Sequence, residues 1–88
     1  MKREEYGLLT FKSTHLALQG EQIFKNNNLV FKTIPTPREV SHSCGLALLF
    51  IVDDIDKVED MVNEGFLNID GLYKFIKEGH KNTAERIL

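Results

Sequence analysis

The chain has 88 residues, 42% of them hydrophobic and 27% charged, enough for one small domain with a single core and too few for two. Its 11 basic and 13 acidic residues are well mixed and sum to a net charge of −2, so there is no electrostatic footprint for nucleic acid or anionic lipid, and no apolar run is long enough to cross a membrane. With no signal-peptide pattern at Met1–Glu5, the default location is cytoplasmic.

Tyr6–Phe11 is a short aromatic and aliphatic run and is expected to form the first strand, near the middle of a sheet. Lys12-Ser13-Thr14-His15 supplies hydroxyl side chains where a helix should begin, and the helix is predicted over Thr14–Asn26. Leu16, Gly20, Ile23, Phe24 and Asn27 recur at spacings of three and four, which gives one mostly apolar stripe with Gly20 as a point of close packing. Asn26-Asn27-Asn28 should end it, since Asn tolerates the left-handed backbone of a C-terminal cap.

Leu29–Ile34 reads as the second strand, exposed at Lys32 and stopped by Pro35, which has no N–H for a ladder. Thr36-Pro37-Arg38-Glu39 has the pattern of a capping box and predicts about one helical turn, through Ser43. Gly45–Val52 is the most apolar segment and the third strand. Asp53 and Asp54 should end that strand and cap a second helix, with Asp56 in its first turn, Ile55, Val58, Met61 and Val62 on its buried stripe, and Gly65 closing it. That capping role explains the three aspartates without a metal.

Asn68–Gly71 reads as a turn, and Leu72–Ile76 as a strand rather than a short helix, because a sheet needs a fourth member. The polar tail of residues 78–88 is expected to fray or to form a short terminal helix. The resulting order, strand, helix, strand, strand, helix, strand, predicts an α+β ferredoxin-like βαββαβ domain with a four-stranded antiparallel sheet and two helices on one face.

That topology places the end of the first strand, the start of the first helix and the connection between strands two and three at one end of the sheet. The connection contains Cys44, the only cysteine, so no disulfide within the chain is open to it, and no cysteine or histidine spacing suggests a structural zinc. Free cysteines are often buried and inert. Against that, Cys44 lies between a turn and a strand start, and Gly45 leaves room for a ligand. A helix N-terminus near Lys12, Ser13 and Thr14 would lower its thiol pKa and hold an anion, with Lys12 and Arg38 adding to the field. His42 and His15 are candidate bases toward the thiol, set against the ordinary role of a polar surface histidine. Arg38 is either a substrate anchor or a partner of Glu39 or a sheet-edge carboxylate.

Phe11-Lys12-Ser13-Thr14 and the run Pro35-Thr36-Pro37-Arg38-Glu39-Val40-Ser41-His42-Ser43-Cys44-Gly45-Leu46-Ala47 resemble the small bacterial family of selenium/sulfur carrier-like proteins, formerly a domain of unknown function. The resemblance covers about Tyr6 to Ile76. It implies that Cys44 is the carrier cysteine, with Arg38, Ser41 and Gly45 in its motif and Ser13 and Thr14 in a companion motif. It further implies a sulfur or selenium donor protein such as a cysteine desulfurase, an acceptor protein, and no cofactor, for a carrier rather than a stand-alone enzyme. Two other readings stay open from the residues: a binding or regulatory module in which Cys44 is incidental, and a metal chaperone using Cys44 with His42. Whether the chain pairs as a homodimer is also open.

Overall fold

The computed structural model describes residues 3–40 and 45–88 of the chain. Its elements, in order, are β1 (Arg3–Thr10), α1 (Thr14–Asn26), β2 (Phe31–Pro35), β3 (Leu46–Ile51), a 3-10 turn (Val52–Asp54), α2 (Ile55–Asn63), β4 (Gly71–Glu78) and β5 (Lys81–Arg86). The five strands form one sheet in the order β2-β3-β1-β4-β5, every neighbouring pair antiparallel.

The ends of α1 follow from local chemistry. Ser13 takes extended backbone angles, and its Oγ accepts the Leu16 N–H at 3.2 Å, a cap worth about 1 kcal/mol. At the other end Asn28 has φ 57, with its N–H donating to Lys25 C=O at 3.1 Å and the Leu29 N–H to Phe24 C=O at 2.9 Å. That is a Schellman closure built on asparagine. The closure of α2 is the same motif on Gly65 at φ 86, with Gly65 N–H to Val62 C=O and Phe66 N–H to Met61 C=O. The start of α2 differs from expectation, because Asp54 occupies the cap position without a side-chain bond. A 3-10 turn already leads the chain into this helix, so the aspartates offer charge near its N-terminus rather than a hydroxyl-like cap.

Both helices cover one face of the sheet. Leu9, Phe11, Leu48, Phe50 and Leu72 point to that side and bury Ala17 and Phe24 of α1 and Val58 and Met61 of α2. Phe24 is fully buried and meets Phe31 and Phe50 edge-on, with ring centroids 5.6 and 5.4 Å away. Each such pair adds about 0.5–1.5 kcal/mol beyond area burial. Gly20 is a packing glycine as its stripe suggests: a Cβ there would lie 2.7 Å from Phe11 Cζ. The opposite face holds a second cluster, Leu8, Val40, Ala47, Tyr73 and Phe75.

The expected four-stranded ferredoxin-like sheet is corrected by the C-terminal segment. Residues 78–88 are neither frayed nor helical over most of their length. Gly79-His80 makes a two-residue turn, with Gly79 at φ 63, and β5 pairs with β4 from Glu78↔Lys81 to Tyr73↔Arg86. The reason lies on β4, where Tyr73 and Phe75 need lateral cover on the face opposite α1 and α2. Ala84 packs against that cluster, and the Arg86 guanidinium sits 5.6 Å from the Tyr73 ring centroid. Strand β1 also begins earlier than expected, because Arg3–Glu5 pair with Ile76–Glu78 and Glu5 bridges Lys74 at 3.0 Å and Arg3 at 2.9 Å.

Candidate functional site

Strand register brings the residues that flank Phe11–Ser13 and the β2–β3 connection to one end of the sheet. Thr10, the last residue of β1, lies opposite Ala47, while Ile34 and Pro35 at the end of β2 lie opposite Ala47 and Leu46. The β1–α1 corner at Phe11–Ser13 and the β2–β3 connection therefore leave the sheet side by side. The start of β4 joins them: Asp70 N–H donates to Thr10 C=O at 2.7 Å, and the buried Thr10 hydroxyl donates to Gly71 C=O at 3.4 Å.

The β2–β3 connection is clasped at its base, where Thr36 N–H donates to Gly45 C=O at 3.0 Å. Gly45 is exposed with φ 84, and a Cβ there would meet nothing within 4 Å. Backbone angle, not crowding, is what asks for glycine. The expected capping-box helix is corrected over its described part. Arg38 and Glu39 form a turn, closed by Val40 N–H donating to Pro37 C=O at 3.2 Å. Thr36 extends the strand ladder instead of capping, and the burial of Val40 draws the chain onto the sheet.

Val40 is the residue that sequence reasoning missed. It is 7% exposed and packs with Leu8, Ala47, Tyr73 and Phe75, on the face away from α1. Its signal was a lone aliphatic residue within the polar run from Thr36 to Ser43. Arg86, equally unmarked in sequence, donates to Asp70 C=O at 3.1 Å and so ties β5 to the same sheet end.

Of the predicted site residues, Ser13 is committed to capping α1, which leaves the first-turn amides of Thr14 and His15 as the donors intrinsic to a helix start. Lys12, Thr14 and Arg38 are exposed. Neither Lys12 nor Arg38 pairs with a carboxylate among the described residues, so the Arg38–Glu39 pairing does not form. The lysine and arginine charges remain available. His15 is engaged along its own helix, 3.2 Å from Gln19 Nε2. Ser41, His42 and Cys44 lie outside the described residues, as does the expected nearness of Cys44 to Lys12–His15. Among the described residues no group of three or more His, Cys, Asp or Glu side chains is placed to hold a metal, and no helix is long and apolar enough to cross a membrane.

Among known proteins, the family model described as "Putative Se/S carrier protein-like" matches residues 6–74. No curated protein and no solved structure matches.

Proposed function

The chain belongs to the Se/S carrier protein-like family, and from that premise we propose that Cys44 is a covalent shuttle for a sulfane sulfur or selenium atom. The observation that supports the reading is the extent of the match. It takes in Phe11–Thr14 and Pro35–Ala47 together, the two stretches whose flanking strands share one sheet end.

The chemistry is an exchange between thiolates. The Cys44 thiolate attacks the terminal sulfur of a donor persulfide, the donor's S–S bond breaks, the donor leaves as a thiolate, and Cys44 holds the persulfide. In delivery an acceptor nucleophile attacks that terminal sulfur and Cys44 leaves as the thiolate. Electrons balance without an external oxidant, and selenium follows the same course through a selenosulfide.

In this reading Lys12 and Arg38 supply unpaired positive charge that favours the thiolate and steers an anionic donor group, and the amides near Ser13 and Thr14 hold the terminal anion. Gly45 gives the loop its turn, Ser41 completes the motif, and His42 is the base that takes the thiol proton. The partners are a donor protein of the cysteine desulfurase kind and an acceptor protein.

Intact-mass measurement tests the assignment. After incubation with a cysteine desulfurase and cysteine, or with glutathione persulfide, the native chain should gain the mass of one sulfur atom, removable by a thiol reductant. Cys44→Ser should gain nothing. A native chain that stays unmodified with both donors, or a Cys44→Ser chain that gains the same mass, overturns the proposal.

A further inference from the structure

The sheet has two edges, and they are not equally open. At β2 the Thr36 N–H points inward to Gly45, so the preceding residue, Pro35, faces outward where it has no N–H to offer. The Thr33 hydroxyl also donates to the Glu21 carboxylate, which holds α1 against that strand. Of its outward-facing residues Phe31, Thr33 and Pro35, this edge therefore lacks the donor at Pro35.

At β5 the phase of the ladder is fixed by Ile87 N–H donating to Leu72 C=O at 2.7 Å. Counting back along the register, Lys81, Thr83 and Glu85 direct their backbone groups to β4, while Asn82, Ala84 and Arg86 direct theirs outward. No proline interrupts this edge. Lys81, Thr83 and Glu85 are exposed and share one face of the strand, and neither Lys81 nor Glu85 has an ion-pair partner among the described residues.

We propose that β5 pairs antiparallel with β5 of a second copy, Thr83 opposite Thr83, to form a homodimer with one sheet running through both subunits. In that register Asn82 of each copy exchanges backbone N–H and C=O bonds with Ala84 of the other. Lys81 of each copy stands opposite Glu85 of its partner, twice over by the two-fold axis. A slip of two residues either way keeps the backbone bonds but removes both charge pairs, so the side chains select the register.

Charges on an edge strand commonly serve to prevent pairing. That purpose is best met by one sign, whereas here opposite signs flank Thr83 at the spacing a two-fold makes complementary. The pairing is independent of the carrier reading, because no residue of the Thr36–Gly45 connection takes part. It leaves the two connections at opposite ends of the joined sheet, each free to meet a partner.

Sedimentation equilibrium of the full chain over a concentration series, in reducing buffer so that Cys44 cannot cross-link, tests the proposal. The native chain should show a reversible monomer–dimer equilibrium. Lys81→Glu and Glu85→Lys should each weaken it by about tenfold or more, since each replaces two attractive pairs by two repulsive ones. The double variant Lys81→Glu with Glu85→Lys should restore it. All are exposed positions, and circular dichroism confirms the fold. A native chain monomeric throughout, a dimer unmoved by either reversal, or a double variant that stays weakened would each overturn the pairing.

Discussion

The two faces of the sheet are built on different terms. One is roofed by α1 and α2, each with a defined C-terminal closure and an apolar stripe, and its centre is the Phe24–Phe31–Phe50 cluster. Among the described residues no helix covers the other. Leu8 and Phe75 are nonetheless almost fully buried there, in a cluster to which the β2–β3 connection contributes Val40 and β5 contributes Ala84. A roof of helices is held by many contacts at once, whereas a cover that depends on single side chains from a connection can open locally at lower cost. The face that secures the fold is thus separate from the face that the connection closes.

Truncation at the centre of the helical face should have the largest effect. Phe24→Ala should cost about 3–5 kcal/mol, read from urea unfolding midpoints, because the cavity lies among rings that cannot collapse far. A loss below about 1 kcal/mol would mean that the two faces do not differ as described.

Val40→Ala should cost less, about 1.5 kcal/mol for two buried carbons. It should also speed hydrogen exchange at the Thr36 and Val40 amides, which are bonded within the connection, while leaving the helical content unchanged. If Phe24→Leu changed those exchange rates as much as Val40→Ala, the connection would not be a separately opening unit.

The smallest effect is electrostatic. The Glu5 carboxyl is held below its usual range chiefly by the hydrogen bond from Lys74, with Arg3 adding to it. A carboxylate with a lowered folded pKa contributes stability above its unfolded pKa and loses it as pH falls through the folded value. The contribution should therefore fade below about pH 4, and Glu5→Gln should flatten the acid side of the stability profile slightly. A variant with an unchanged profile would show that these exposed charges do not couple to folding.

How far these features could be read from sequence depended on whether the signal was local. The bounds of α1 and the closing Gly65 rest on chemistry within a few residues and were legible, while the hydroxyl run at Lys12–His15 and the run Asn26–Asn28 located the two caps without singling out Ser13 and Asn28. The first and third strands side by side in the sheet, and the sharing of one sheet end by Phe11–Ser13 and the β2–β3 connection, followed from topology. Strand β5 was not legible, since Lys81–Arg86 contains only Ala84 as an apolar residue and owes its place to cover for Tyr73 and Phe75. The Thr36 capping box misled for a related reason: the same residues that could start a helix were drawn into the ladder by Gly45 and onto the sheet by Val40. At the candidate site the sequence names Lys12 and Arg38 as cations, while their exposure and their lack of an ion-pair partner among the described residues required coordinates.

The hydrogen bond from Thr36 to Gly45 has a consequence for docking. Because it pins both ends of the β2–β3 connection to the last rung of the ladder, the entropy of closing that loop is lost when the chain folds. A protein that later engages the segment meets anchored ends rather than a free chain, so less of its binding energy is consumed in gathering the loop. The same anchoring insulates the strands: residues inserted between Pro37 and Cys44 would lengthen the loop without shifting the register of β2 on β3.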